Sequence, residues 1–169
     1  MTSADRYDKG LLAVDLGVRS GMALFGHDGR LKWYRSRNFG STARLRRAVA
    51  ATLRELSGEV ALIAVEGPRP LADIWQREAE RRSIAVQRLM AETWRSQLLW
   101  RRQQRSGALA KQHADRLARQ VIDWSGAARP TSLRHDAAEA ILIGLWAVLE
   151  QGWLAVDELP LELRQIATR

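Results

Sequence analysis

The sequence predicts an α/β domain: a five-stranded mixed sheet, strand order 3-2-1-4-5, flanked by helices. Three observations carry that expectation. Two short apolar runs, Leu11–Val14 and Ala61–Val65, read as strands buried on both faces, and each ends in a carboxylate, Asp15 and Glu66. Turn signals at Gly17 to Gly21 and at His27-Asp28-Gly29 divide the segment after the first run into a meander. Beyond residue 40, helical stripes alternate with two more strands, the pattern that joins parallel neighbours.

Leu11–Asp15 is the first strand, Met22–Phe25 the second, and Leu31–Arg37 the third, with Leu31, Trp33 and Arg35 on one face. Ser41 or Thr42 caps a helix whose Leu45, Val49, Leu53 and Leu56 fall on one stripe, and Ser57-Gly58 ends it. Val60–Glu66 is the fourth strand. Gly67-Pro68-Arg69-Pro70 breaks the chain before a polar helix over Leu71–Arg82, and Ile84–Leu89 is the fifth strand. The rest reads as helices. Glu92–Gln104 is basic, with Trp94, Leu98 and Leu99 as its face. Ala108–Trp124 carries Leu109, His113, Leu117, Val121 and Trp124 at helical spacing, and Arg134–Glu150 is strongly apolar. Residues 1–150 form one domain. Residues 151–169 are a tail whose Trp153, Leu154 and Val156 pack on the body or on a partner.

One helix between the meander and the fourth strand implies a right-handed crossover that lays strands one and four side by side. Neighbouring strands are about 4.8 Å apart, so Asp15 and Glu66 emerge next to each other. In the last long helix Asp136 and Glu139 are three positions apart and share a face. Two ordinary first-turn acids, with Thr131 or Ser132 helping to cap, give the same local pattern. Buried carboxylates are costly unless a cation or hydrogen bonds compensate them. Four that can converge point to a divalent-metal site, and their oxygens suit Mg²⁺ or Mn²⁺. Two such ions, roughly 3.5–4 Å apart, clamp both oxygens of a phosphodiester displacement. Asp15, on the central strand, is the natural bridging ligand.

The chain carries 27 Lys+Arg against 19 Asp+Glu, a net charge of +8, concentrated in Arg77–Arg82 and Arg95–Arg105. That balance fits a polyanionic substrate, although arginine-rich codon usage produces the same excess. There is no cysteine, which excludes disulfides and thiolate metal sites. No apolar run approaches a membrane span and no signal-type segment follows the polar N-terminus. A cytoplasmic protein, bacterial or phage-encoded, is the expectation. Arg19, Arg95, Arg101, Arg102, Arg105 and Lys111 are the candidates for nucleic-acid contacts. A solvated surface role remains open for Lys111, and core packing suits Trp94, Trp124, Trp146 and His113 better than recognition. His135, beside Asp136, fits a cap-region histidine or a proton shuttle, and His27 a hairpin residue.

At these residues the chain resembles the RuvC-type Holliday junction resolvases of the RNase H-like nuclease superfamily. Ala13-Val14-Asp15-Leu16-Gly17, followed by Gly21-Met22-Ala23, is similar to their first-strand motif. Ala64-Val65-Glu66 is similar to the fourth-strand glutamate. Asp136-Ala137-Ala138-Glu139-Ala140 is similar to the final-helix motif, whose last acid is more often Asp. Ala110-Lys111-Gln112 resembles a segment that places a basic residue near the scissile phosphate. The likeness covers residues 10–150. It implies an RNase H-like fold and two-metal hydrolysis of branched double-stranded DNA. It also implies catalytic roles for Asp15, Glu66, Asp136, Glu139 and Lys111, with two Mg²⁺ or Mn²⁺ ions. Where the family has a long dimer-forming helix after the glutamate, only Gly67–Ser83 is present. A homodimer therefore needs another interface, with Trp75 or the tail around Trp153 as its candidates. The same acids serve a ribonuclease acting on structured RNA or an RNA–DNA hybrid, and an inactive nucleic-acid-binding protein can share the fold. Asp-Leu-Gly also resembles the first phosphate loop of sugar kinases and actin-type ATPases, but those need two such domains, which 169 residues do not supply.

Overall fold

The computed structural model describes residues 9–99 and 106–167. Its elements are β1 (Gly10–Asp15), β2 (Arg19–Phe25), β3 (Leu31–Asn38), α1 (Thr42–Glu55), β4 (Val60–Glu66), α2 (Arg69–Glu80) and β5 (Ala85–Leu89). They continue as α3 (Ala91–Leu98), α4 (Gly107–Ser125), α5 (His135–Glu150), a 3₁₀ turn at Val156–Glu158, and α6 (Leu161–Ala167). The sheet has the order β3-β2-β1-β4-β5, as the sequence predicts. β1 is antiparallel to β2 and parallel to β4, which is parallel to β5.

β1 is apolar up to Asp15 because it feeds two cores. Leu11 and Ala13 face a core built with α4 and α5, including Ile141 and Leu145. Leu12 and Val14 face a second core under α1 and α2, with Val49, Leu53 and Trp75. The alternation follows from the two-residue period of a strand. α5 lies over β1 and β2 and is covered in turn by α4, so Ala137 through Val148 are all buried. A helix apolar on every side belongs in such a position. Gly144 makes the approach possible, since a Cβ there would stand 2.1 Å from the Phe25 ring.

The β1–β4 ladder is regular from Leu11↔Leu62 to Asp15↔Glu66. Its one irregularity lies at the opposite end, where Gly10 pairs with Val60 and Ala61 is left over.

Several sequence expectations need correction. The break before the helix is shorter than expected: Gly67 and Pro68 separate β4 from α2, which already starts at Arg69 with Pro70 in its first turn, where a missing N–H does no harm. α2 also has an apolar face, with Ala72, Ile74, Trp75 and Ala79 buried. Trp75 is 0% exposed, which removes it as a dimer contact. Neither Thr131 nor Ser132 caps α5; Arg134 holds the N-cap position without a side-chain hydrogen bond. Ser41 does cap α1, accepting from the Arg44 N–H. The tail folds onto the body: Leu154, Leu159 and Leu163 are buried in the core beneath α4 and α5, and α6 touches α3 and α4. Trp153 is half-buried, its ring 5.0 Å from that of His27. Leu163→Ala is expected to lower stability by about 2–3 kcal/mol in urea unfolding; an unchanged midpoint would mean that the tail is not part of the cooperative unit.

α3 ends at Leu98 and Leu99 is extended, so the expected Glu92–Gln104 helix stops short there; residues 100–105, with Arg101, Arg102 and Arg105, lie outside the described residues. No described helix is long and apolar enough to cross a membrane.

Candidate functional site

Asp15 and Glu66 are direct partners in the parallel ladder. Both follow Ala residues two positions earlier that face α5, so both side chains leave the sheet on that side. Glu139 reaches them from α5 and is only 8% exposed. One carboxylate oxygen from each of the three lies within 4.8 Å of the others.

Gly21 is what lets α5 come so close. It sits opposite Asp15 on one side and Ser36 on the other, and a Cβ at this position would fall 1.9 Å from the Asp136 carbonyl oxygen. The Ser36 hydroxyl donates to Asp136 Oδ2. Asp136 therefore faces β3 and stands beside the trio rather than in it, while its charge still reaches Asp15. Glu139, the fifth residue of α5, is beyond the first turn, so the helix dipole does not account for it.

The electrostatics record the crowding. Burial first, then the charges of Glu139, Glu66 and Asp136, push the Asp15 pKa up to about 8, against a partial offset from Arg95. Burial and Glu139 also raise Glu66. Arg95 and the indole N–H of Trp94, which faces Glu66 outside hydrogen-bonding geometry, offset part of that rise.

Two further side chains approach Glu139. Arg95, on α3, donates to Glu139 Oε1. His135 Nε2 stands 3.5 Å from the same oxygen. α3 is held in place by Trp94, which is 0% exposed, and by Gln97, whose Oε1 accepts from Trp146 Nε1 at 2.8 Å.

Of the residues singled out from the sequence, the fold brings together Asp15, Glu66 and Glu139, with Asp136 and Arg95 adjoining. Arg19 is exposed at the start of β2, and Lys111 is exposed on α4. Ser36 and the carboxylate-facing role of Arg95 were not legible beforehand. Register offers the signal for Ser36: it lies opposite Gly21, so it shares the face against which α5 packs.

Three carboxylates form a hard-oxygen donor set, and the proton affinity of Asp15, raised by burial first and then by its acidic neighbours, leaves its charge in want of a cation. A divalent ion fits that demand. A proton on Asp15 competes with it, so Mn²⁺ affinity is expected to rise with pH by up to tenfold per unit between about pH 6 and 8, then level off. Calorimetric titrations across this range, which also register proton release, check it.

No family profile and no curated protein matches the sequence. Solved structures do resemble the fold. Thermus thermophilus RuvC in complex with a Holliday junction substrate is 16% identical, with a TM-score of 0.57, over 85% of this chain and 96% of that one. A second Thermus thermophilus RuvC structure is 17% identical, with a TM-score of 0.58 and the same coverage. The mixed sheet of order 3-2-1-4-5 with its flanking helices is thus a RuvC-type, RNase H-like fold.

Proposed function

We propose that this protein is a divalent-metal-dependent endonuclease that hydrolyses phosphodiester bonds in branched DNA, in the manner of a Holliday junction resolvase. The observation that carries the reading is the convergence of Asp15, Glu66 and Glu139 within 4.8 Å, at the strand ends of a RuvC-type fold. The neighbour bound to a Holliday junction supports branched DNA as the substrate class.

Asp15, Glu66 and Glu139 would hold Mg²⁺ or Mn²⁺, as two ions when fully loaded, with Asp136 as the adjoining fourth carboxylate. Bound metal supplies positive charge at the scissile phosphate and activates the attacking water. The chain's own residues prepare that chemistry. Burial of Glu139 lowers the local dielectric, so its attraction for a cation would be stronger than in water. Ser36 orients Asp136, and the α3 anchor places Arg95 at the edge of the centre. Arg19, at the start of β2, and Lys111 on α4 supply exposed positive charge for the phosphate backbone. The net charge of +8 draws the polyanion in.

The test is cleavage of a synthetic four-way junction with Mg²⁺ or Mn²⁺ by wild type and by Asp15→Asn. Linear duplex, structured RNA and an RNA–DNA hybrid are run in parallel. Cleavage of the junction alone supports the reading. Preference for the hybrid moves the protein to the ribonucleases, and binding without turnover on every substrate makes it an inactive nucleic-acid-binding protein.

A further inference from the structure

Arg95 donates to Glu139, and its charge is felt by Asp15 and Glu66 as well. It is a cation already seated against the carboxylate cluster. Its seat is built rather than incidental: α3 is pinned by the buried Trp94 and Leu98, and by the Gln97–Trp146 hydrogen bond to α5, the helix that bears Glu139. The guanidinium carbon lies 5.1 Å from the centre of the Trp94 ring. Yet the side chain is 32% exposed, so the charged end has a path outward. The charge count is simple. With all three carboxylates ionised, as metal binding requires, they and one guanidinium sum to −2, which one divalent cation neutralises; without the guanidinium the trio has −3, and Asp136 adds another negative charge beside it.

We propose that Arg95 occupies the Glu139 side of the centre as a resident cation, so that the resting protein takes up one divalent ion, and the second ion and the seated guanidinium exclude one another. Nucleic acid supplies the exchange partner. A phosphate offers the planar guanidinium a bidentate match as good as a carboxylate's. Arg95 swings from Glu139 to the substrate, and the vacated carboxylate becomes available to metal. Full metal loading is thereby coupled to the arrival of a polyanion. This inference rests on the metal-site reading proposed above.

The experiment is Mn²⁺ calorimetry at pH 8 on the full chain without nucleic acid, comparing wild type with Arg95→Ala, Arg95→Gln, Arg95→Lys and Asp15→Asn. Thermal melts confirm that each variant is folded, and Arg95→Gln keeps the bulk of the side chain if the alanine variant is not. The expected result is one ion per wild-type chain. Arg95→Ala and Arg95→Gln are expected to bind two ions, the first at least about tenfold tighter, and Arg95→Lys to stay near wild type. Identical stoichiometry and affinity in wild type and both neutral variants, with Asp15→Asn losing Mn²⁺, would overturn the role of Arg95 and leave the metal site standing. Mn²⁺ binding unaffected by Asp15→Asn would overturn the site itself.

Discussion

Asp15→Asn is expected to abolish metal-dependent cleavage, by about a thousandfold or more, while making the metal-free protein more stable. The two effects have one origin. Asp15 stands at the meeting point of the cluster, opposite Glu66 in the ladder and within reach of Glu139, so the amide removes a central ligand charge. The same charge is unwelcome when no cation is present. The folded-state pKa of Asp15 is about 8, against an ordinary 3.8. Between those values the unfolded chain has released a proton that the folded protein retains. The folded state therefore loses stability, relative to unfolded, as pH rises from about 4 to about 8, with no further loss above. The ceiling is about 6 kcal/mol from the size of the shift. Relaxation of neighbouring charges lowers the realised gain to roughly 2 kcal/mol, or about 5 °C in a domain of this size. Thermal melts in chelator at pH 4.5 and pH 8 check the sign: the advantage of Asp15→Asn must grow with pH. Adding Mn²⁺ should then stabilise wild type and leave the variant behind. A variant less stable than wild type in chelator at pH 8 would contradict this account.

Gly21→Ala is the second large effect, and here the fold and the site fail together. The new methyl group would lie 1.9 Å from the Asp136 carbonyl oxygen and 2.8 Å from the Ala137 nitrogen, both backbone atoms of the first turn of α5. Backbone cannot step aside as a flexible side chain can, so α5 must lift from β2. Overpacking of this kind costs about 3 kcal/mol, a fall in Tm of roughly 6–12 °C. The lift carries Glu139 away from Asp15 and Glu66 and breaks the Ser36–Asp136 hydrogen bond. Cleavage should fall by about a hundredfold at a temperature where the variant is still folded, because small displacements of a preorganised group are costly. Circular dichroism melts and junction cleavage at 20 °C separate the two losses. Wild-type activity in a folded Gly21→Ala protein would show that the α5 position is not critical.

The parts of the fold that can be read from the sequence are those where local pattern and global role agree. Val60–Glu66 has the same bounds in both, because a strand buried on two faces leaves an unbroken apolar run. Asp15 and Glu66 meet because both are counted from such runs. What escaped depends on contacts between distant segments. Arg95 reads as one more arginine in a basic helix, and its bond to Glu139 spans 44 positions. Trp75 lies among charged neighbours, so its burial follows from the α1–α2 packing rather than from its flanks. α6 is only seven residues long, too short for a helical period to stand out, and its Leu163 is buried by the tertiary fold. Pro70 signalled a break where it marks a first turn, because proline serves both.

The leftover residue at the start of the β1–β4 ladder has a consequence for how this gene can change length. From Leu11↔Leu62 onward the two strands advance in step, and the alignment of Asp15 with Glu66 is counted from that point. A one-residue deletion at Ala61 removes the irregularity and leaves every later pair in place. Deleting any one residue from Leu62 to Val65 leaves a strand of the same length, so the same slack can keep Glu66 beside Asp15, but each residue between Ala61 and the deletion moves up one pair and turns to the opposite face. Loss of one residue from this strand therefore spares the pairing of the two acids, at a cost to the two cores that grows from the strand's entrance toward Val65.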